Sequence, residues 1–290
     1  MKIEKKVRRD IKAEVTDTII AALEEGVAPW TRSWTGGIGG GLPSNISTEK
    51  QYRGINVFLL WISADRASYP TNEWATYRQA EGMGAQVRGG EKGTQIAFWG
   101  KTKREDKVTG EEKEFWFLKQ SKVFNRAQID GLPEVVVEEV TEATRHERAE
   151  ALIASTGATV NYGLSRAYYS PSTDAIGMPS IEQFNAESEY YSTHLHELIH
   201  WTSHATRLDR ATGLSGTDAY GHEELVAELG AAFTCAEVGI EGKLQHAEYL
   251  GAWIKNLKAD KNAIFAANSA AQKATDFLLG HEAGQEEVAA

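Results

Sequence analysis

The pentapeptide His196-Glu197-Leu198-Ile199-His200 constrains the fold of this chain more than any other feature. In an α-helix, residues four apart lie on one face, so a helix here brings both imidazoles to one divalent ion with the glutamate beside them. Catalytic zinc sites are typically built this way, with three protein ligands and a fourth position left for water. The pattern therefore predicts a metal-binding helix with Glu197 as the general base. The pattern also arises by chance in surface helices, so a third ligand is needed to distinguish a metal site from a chance match.

The third ligand is expected downstream of this motif, where the candidates are His204, His222, Glu223, Glu224 and Glu228. His204 lies another turn along the helix, too far from His196 at roughly 1.5 Å per residue, and it does not fit the metzincin spacing. Glu224 and Glu228 are four apart in HEELVAELGAAF. We predict Glu224 as the ligand and Glu228 as the carboxylate that orients a ligating histidine. Glu223, one helical step away, stays open as an alternative ligand. Four further histidines, His194, His204, His222 and His246, are predicted to lie at the surface or next to the ligands.

Composition places the chain among ordinary globular proteins, and charge divides it into two halves. It has 290 residues, of which 41% are hydrophobic and 25% charged, a length typical of about two domains at roughly 150 residues each. Residues 1–133 hold 21 Lys and Arg against 17 Asp and Glu, net +4, whereas residues 134–290 hold 10 against 24, net −14. Six of the eight tryptophans lie in the first half. We therefore predict two domains, 1–133 and 134–290, joined by a linker within residues 130–137.

The sequence contains no feature of a membrane or disulfide-stabilised protein. No run approaches the roughly 18 to 20 apolar residues of a membrane-spanning helix, and the basic start lacks the apolar core of a signal peptide. The single cysteine, Cys235, excludes an internal disulfide and a site built from several thiolates. We expect a soluble cytoplasmic protein with no membrane partner.

Apolar periodicity predicts the secondary structure and an α+β fold class. The first domain is predicted to be α+β with a small antiparallel sheet, and the second to be mainly helical. Helices are predicted over residues 9–25, 52–65, 73–81, 142–156, about 181–205 and about 221–238; strands are predicted over 95–99, 114–119 and 121–125, with weak alternation over 158–169.

The first half combines aromatic and basic residues in a way that is typical of single-strand-binding proteins, in which bases stack on rings and cations follow the phosphates. We expect the acidic second half to repel DNA, and we expect binding to weaken as salt rises. As isolated residues, Trp61, Phe115 and Phe117 are predicted to belong to the core. The predicted DNA contacts are Trp30, Trp34, Asn45, Tyr52, Arg53, Asn56, Trp74, Gln79, Arg88, Lys92, Trp99, Lys119, Phe124 and Asn125.

Longer motifs resemble a known family. The order HELIH then EELVAELGAAF resembles gluzincin-type metallopeptidases. The runs LPSN, YRGINVFLL, EWATYRQA, VRGGEKGTQIAFW and FLKQSKVFNRAQIDGL resemble the N-terminal domain of the ArdC antirestriction proteins of conjugative plasmids, a domain also found in TraC-type plasmid primases. The resemblance covers about residues 8–280. One departure is Gly89, where the family commonly has lysine.

The resemblance implies a single-stranded-DNA-binding domain joined to a zincin-like metallopeptidase domain that protects incoming conjugative DNA from type I restriction. It implies that His196, His200 and Glu224 are metal ligands and that Glu197 is the catalytic base. The predicted cofactor is one divalent ion, Zn²⁺ or alternatively Mn²⁺. The predicted partners are single-stranded DNA and a host restriction or regulatory protein as substrate. The alternative function is a strand-binding protective module whose metal site is structural or silent; a metallonuclease is disfavoured because its magnesium sites are richer in carboxylates.

Overall fold

The computed structural model of the protein describes residues 10–26, 41–105, 112–134, 140–211, 213, 217–241 and 249–280. Within these ranges, no helix is long and apolar enough to cross a bilayer. In chain order the helices and strands are α1 (Ile11–Glu24), β1 (Ser44–Asn45), α2 (Ile55–Arg66), β2 (Glu73–Thr76), α3 (Tyr77–Gly82), β3 (Gln86–Val87), β4 (Thr94–Glu105), β5 (Glu112–Asn125), β6 (Ile129–Asp130), α4 (Glu142–Thr156), β7 (Thr159–Asn161), β8 (Tyr168–Ser170), β9 (Ala175–Gly177), α5 (Glu187–Trp201), α6 (Asp218–Val238), α7 (Leu250–Ala259) and α8 (Ala263–Leu278).

A helix is present in each predicted region, with the corrections given below, and the α+β class is confirmed; local capping residues set the helix ends. Helix α1 begins after Asp10, whose carboxylate accepts a hydrogen bond from the backbone of Ala13. Helix α6 begins after Thr217, whose side chain caps Tyr220, and it ends at Gly239 in the left-handed conformation with φ of 81°. Side chains that accept from the first free N–H groups stabilise a helix start, and glycine adopts positive φ without strain.

The prediction of a single helix over residues 73–81 is wrong in its first half. Residues 73–76 form strand β2, which pairs with β5, and the helix starts only at Tyr77. The reason is a capping box in which Thr76 and Gln79 exchange side-chain and backbone hydrogen bonds. Such a box fixes a helix start, so the preceding residues are left extended.

Two further predicted boundaries are also corrected. The helix predicted over 181–205 begins at Glu187, because residues 181–183 form a separate one-turn 3-10 helix, and it ends at Trp201. The two strands predicted at 114–119 and 121–125 are one continuous strand, β5, paired with β4 from Thr94↔Val123 to Glu105↔Glu112.

The first half contains a four-stranded sheet in the order β1-β2-β5-β4. The β4–β5 pair is antiparallel, as predicted. The β2–β5 pair, which was not predicted, is also antiparallel, whereas the short β1–β2 pair is parallel. Strands β3 and β6 form a separate antiparallel pair. The weak alternation at 158–169 corresponds to β7 and β8, which flank β9 in a third small sheet.

A hydrophobic cluster is shared by both halves of the chain. It contains residues of α1 and α2 together with residues of α5, α6 and α8. For example, the rings of Phe58 in α2 and Phe233 in α6 are stacked with centroids 4.9 Å apart. The domain boundary at 133/134 therefore stays a prediction, and the two predicted domains share buried apolar surface.

Helices α5 and α6 pack closely at Gly230, which gives a test of the packing. A Cβ on Gly230 would lie 2.8 Å from Ile199 Cδ1, whereas a Cβ on Gly221 of the same helix would meet nothing within 4 Å. Overpacking costs ~1–3 kcal/mol, and replacing a helical glycine by alanine gains ~0.5–1 kcal/mol. We therefore expect Gly230→Ala to lower the free energy of unfolding by ~1–2 kcal/mol and Gly221→Ala to raise it slightly. Urea unfolding measures both, and equal stabilisation by the two substitutions would contradict the packing.

Candidate functional site

Helix α5 carries the HELIH motif and directs it toward the protein interior. His196 is 0% exposed, Glu197 is 6% exposed, and His200 is partly buried. The two imidazole rings lie edge to face with centroids 4.9 Å apart. The predicted placement of both histidines on one helical face is confirmed.

Helix α6 brings Glu224 to the same point. Its Oε2 atom lies 3.6 Å from Nε2 of His196 and 3.6 Å from Nε2 of His200. The three residues offer ligand atoms that all lie within 4.8 Å of one another. Ligands in a tetrahedral zinc site lie ~3.4 Å apart when each bond is ~2.1 Å. The donor set and its spacing therefore fit one divalent metal ion.

Glu223, which precedes Glu224 in the sequence, makes different contacts. Glu223 Oε1 lies 3.4 Å from Nδ1 of His200, and it also accepts a 2.7 Å hydrogen bond from Nη2 of Arg210. Arg210 Nε donates to the other carboxylate oxygen at 3.1 Å. Glu223, the alternative third ligand, thus lies on the far side of the His200 ring from Glu224.

Three carboxylates give this interior site a negative potential. Burial by itself would lower the pKa of His200, but hydrogen bonds with Glu223 and Glu224 and the charge of Glu197 raise it to about 10. Burial would raise the pKa values of Glu223 and Glu224, and their hydrogen bonds to His200 and other partners hold both below the usual range. The surroundings therefore favour positive charge at this position, as a divalent cation requires.

Two further side chains of α6 lie near the ligands. The Tyr220 hydroxyl is hydrogen-bonded to Glu224, and burial together with this carboxylate raises the pKa of the tyrosine. Glu228, predicted to orient a histidine, is 2% exposed and lies one helical turn beyond Glu224. The role of Glu228 in orienting a histidine stays a prediction, and Glu223 also contacts a histidine ring, that of His200.

The structure describes three of the four further histidines for which a position was predicted. His194 is 0% exposed, and burial lowers its pKa to about 4, so it is a neutral core residue. His204 is partly exposed and contacts Thr206, and His222 is partly buried. His246 lies outside the described residues.

Arg210 and Tyr220 are two residues near the site that were not predicted from the sequence. Arg210 lies in a segment after α5 that has no periodic pattern, so nothing in the sequence connects it with Glu223. Tyr220 occurs in the first turn of α6, four residues before Glu224, and this helical spacing is a signal that could have identified it.

Five of the predicted DNA contacts are buried and used inside the fold. Asn56 exchanges two hydrogen bonds with the backbone of Ala97, at 2.7 and 2.8 Å. Asn125 donates to the backbone of Thr71 at 2.8 Å. These five, each at most 8% exposed, are Asn45, Tyr52, Asn56, Trp74 and Asn125.

Two more of the predicted contacts are engaged in internal bonds. Arg53 forms an ion pair with Asp276 of α8 through a 2.6 Å hydrogen bond. The side-chain oxygen of Gln79 accepts a 2.8 Å hydrogen bond from the backbone of Thr76. Trp30 and Trp34 lie outside the described residues.

The remaining candidates are more accessible. Arg88, Lys92, Trp99 and Lys119 are exposed, and Phe124 is partly buried. Arg88 and Phe124 line one open cleft, whereas Lys92 lines another, so the structure does not bring all of these residues together.

The three aromatic residues predicted to belong to the core differ in burial. Trp61 is 3% exposed, which confirms the prediction, and Phe117 is partly buried. Phe115 is 48% exposed, so its prediction is wrong. It lies opposite Thr102 on the extended β4–β5 hairpin, away from the packed part of the sheet.

Both halves of the chain match known protein families. Residues 9–124 match the N-terminal domain of the anti-restriction factor ArdC. Residues 147–270 match a zincin-like metallopeptidase domain. The second match contains all of the residues of the candidate metal centre.

Relatives of known sequence cover nearly the whole chain. The uncharacterised protein y4eC of Sinorhizobium fredii is 39% identical over 93% of this chain and 91% of its own length. A DNA primase TraC of Escherichia coli is 39% identical over 96% of this chain. This chain spans only 28% of the length of that TraC protein and 20% of another.

Solved structures show the same fold. The metal-free crystal structure of the antirestriction protein ArdC from plasmid R388 is 40% identical and has a TM-score of 0.82, covering 95% of this chain and all of that one. The Mn(II)-bound structure of the same protein has a TM-score of 0.79, is 40% identical and covers 94% of this chain and 98% of that one. Together with the donor set, the Mn(II)-bound relative confirms the prediction of a divalent-metal site. The chain belongs to the ArdC family of antirestriction proteins.

Proposed function

We propose that this protein is a metal-dependent peptidase that also binds single-stranded DNA and protects incoming plasmid DNA from type I restriction. The observation that carries the proposal is the convergence of two imidazoles and a carboxylate next to a buried glutamate. The membership of the ArdC family supports the antirestriction role.

The proposed metal ligands are His196, His200 and Glu224. Two histidines with one carboxylate suit Zn²⁺ and also accept Mn²⁺, and R388 ArdC was solved with Mn(II). When bound, a divalent ion would polarise the carbonyl group of a peptide and lower the pKa of a water molecule. The three side chains come from two tightly packed helices, so they are held in place before the ion binds.

Glu197 is the proposed general base. It lies between the two histidines in sequence, on the same helix, and only 6% of its surface is exposed. Its carboxylate takes the proton of the attacking water and passes it to the nitrogen of the departing amine.

We propose that DNA binds the first half through its accessible residues. Among the described residues the proposed contacts are Arg88, Lys92, Trp99, Lys119 and Phe124. Trp30 and Trp34, which lie outside the described residues, are proposed from the sequence alone. Exposed rings offer faces for unpaired bases, and the cations neutralise phosphates. The five buried candidates are not part of this surface, because their side chains pack and form contacts within the fold.

Lys119 provides a test of this surface. We expect Lys119→Gln to weaken binding of oligothymidine and to reduce the slope of log affinity against log salt by ~0.7, the effect of one phosphate contact on a single strand. Fluorescence anisotropy over a salt series measures the slope. Lys273→Gln, which removes an exposed lysine of α8 in the acidic half, is the matched control. An equal change in both variants would contradict the proposed surface.

We further propose that the protein acts in the cytoplasm, with a host restriction or regulatory protein as the peptidase substrate. The experiment compares the transfer of unmodified plasmid DNA into recipient cells with and without a type I restriction system. The protein should raise transfer only into the restricting cells. Equal transfer with and without the protein in restricting cells would contradict the proposal.

A further inference from the structure

The ring of His200 has a second nitrogen that points away from the proposed metal position. Its Nδ1 atom lies 3.4 Å from Oε1 of Glu223, while its Nε2 atom lies on the side of Glu224. Glu223 is 2% exposed, so this carboxylate is almost completely removed from water. A buried carboxylate next to a ring nitrogen can fix the position of the ring proton.

Arg210 holds this carboxylate in a fixed orientation. Its guanidinium donates to both oxygens of Glu223, at 2.7 and 3.1 Å. The same group donates to the backbone oxygen of Ile199 at 2.8 Å and to the hydroxyl of Thr202 at 2.7 Å. Arg210 therefore ties Glu223 of α6 to the C-terminal end of α5, the helix that carries His200.

This arrangement distinguishes the two adjacent glutamates. Both oxygens of Glu223 are engaged by Arg210, and Arg210 compensates the negative charge of the carboxylate. The other glutamate, Glu224, places its Oε2 atom near Nε2 of both histidines. When Nδ1 carries the ring proton and its N–H group donates a hydrogen bond to Glu223, the lone pair of Nε2 is available as a ligand.

We propose that Arg210 and Glu223 are positioning residues that fix the tautomer and the ring orientation of His200. They act through Nδ1 so that Nε2 is presented to the metal. This inference rests on the proposed function, because it assumes that His200 is a ligand. In this inference Glu223 is not a metal ligand but supports one, His200.

The test measures the affinity of the full-length protein for Zn²⁺ by competition with a chelator. Groups that hold a ligating histidine typically contribute 10- to 100-fold to metal affinity. We expect Arg210→Met and Glu223→Gln each to weaken Zn²⁺ binding by ~10- to 100-fold. Glutamine can present its NH₂ group to Nδ1 and thereby favour the wrong tautomer, even though its shape is the same.

Arg207 provides the matched control. It lies three residues before Arg210, and its side chain is 10% exposed against 12% for Arg210. It pairs with Asp174 at 2.9 Å and stacks on Trp201, at 3.8 Å from the ring centroid. Arg207→Met therefore removes a similarly buried cation from the same segment without removing a contact to Glu223. Urea unfolding of the metal-free proteins measures the loss of stability in each variant.

A second measurement separates positioning from stability. In the Zn²⁺-loaded wild-type protein, a long-range ¹H–¹⁵N spectrum should place the His200 proton on Nδ1, and this signal should change in Glu223→Gln but not in Arg207→Met. Arg210 and Glu223 act through one contact, so their effects should not add. The double variant Arg210→Met/Glu223→Gln should therefore have the same Zn²⁺ affinity as the single variant that binds Zn²⁺ more weakly.

The outcomes distinguish the inference from the proposed function. If wild type binds Zn²⁺ and all three single variants bind it equally well, the inference is overturned and the metal site stands. If Arg207→Met weakens binding as much as Arg210→Met, the effect is one of stability, and the inference is likewise overturned. A wild-type protein that binds no divalent ion would overturn the proposed function and this inference with it.

Discussion

Replacing Glu197 with glutamine is expected to lower kcat for peptide hydrolysis by roughly 10²- to 10⁴-fold, the usual contribution of a general base. Glutamine has the same shape but does not accept a proton at neutral pH. The metal content should stay unchanged, because Glu197 is not one of the three converging residues. The measurement is the steady-state rate of peptide cleavage alongside the metal content of the same sample.

Glu187→Gln is the matched control for this experiment. Glu187 lies in the first turn of the same helix, is exposed, and contacts His146 at 2.7 Å. This variant should keep the wild-type kcat. Full hydrolysis by Glu197→Gln would contradict the role of Glu197 as the base.

The Glu197→Gln variant also decides between the two functions that the sequence leaves open, which are protection by proteolysis and protection by strand binding alone. If proteolysis protects incoming DNA, Glu197→Gln should lose protection in restricting cells. If protection survives although hydrolysis is lost, the metal site is silent in antirestriction, and the strand-binding module is the functional part.

The second large effect is expected for His196→Ala. Removing one of three ligands should reduce the bound metal from about one equivalent to background, because two ligands do not complete a zinc site. In the wild-type protein, metal at 100 times its Kd should add ~2.7 kcal/mol to the free energy of unfolding by mass action. The same metal concentration should add nothing to the stability of His196→Ala.

His204→Ala is the control for this measurement. His204 follows the end of α5 by three residues, is hydrogen-bonded to Thr206 and is not one of the three converging residues. The His204→Ala protein should bind metal as wild type does. Metal content that is unaffected by His196→Ala would remove the site.

The metal centre was predictable because its signal is local. Positions four apart on a helix share a face in any helix, so the pairing of His196 with His200 follows from spacing alone. Choosing between Glu223 and Glu224 needs the crossing of α5 over α6, which depends on close packing at Gly230. The contact of Arg210 with Glu223 joins a loop to a helix, and no periodicity encodes it.

The DNA-contacting residues were less predictable for a different physical reason. An asparagine that binds a base and one that satisfies a buried backbone group look identical in a sequence. Asn56 bonds the backbone of Ala97, and Asn125 bonds that of Thr71. Trp74 lies in β2 and is 0% exposed, although its residue type suits base stacking equally well.

The central claim is that His196, His200 and Glu224 together hold one divalent ion. The most direct test is a crystal structure grown with Zn²⁺ or Mn²⁺ and measured at the absorption edge of the metal. We predict a single anomalous peak ~2.0–2.2 Å from Nε2 of both histidines and from a carboxylate oxygen of Glu224. A peak coordinated by Glu223 in place of Glu224, or no peak between the two helices, would contradict this account.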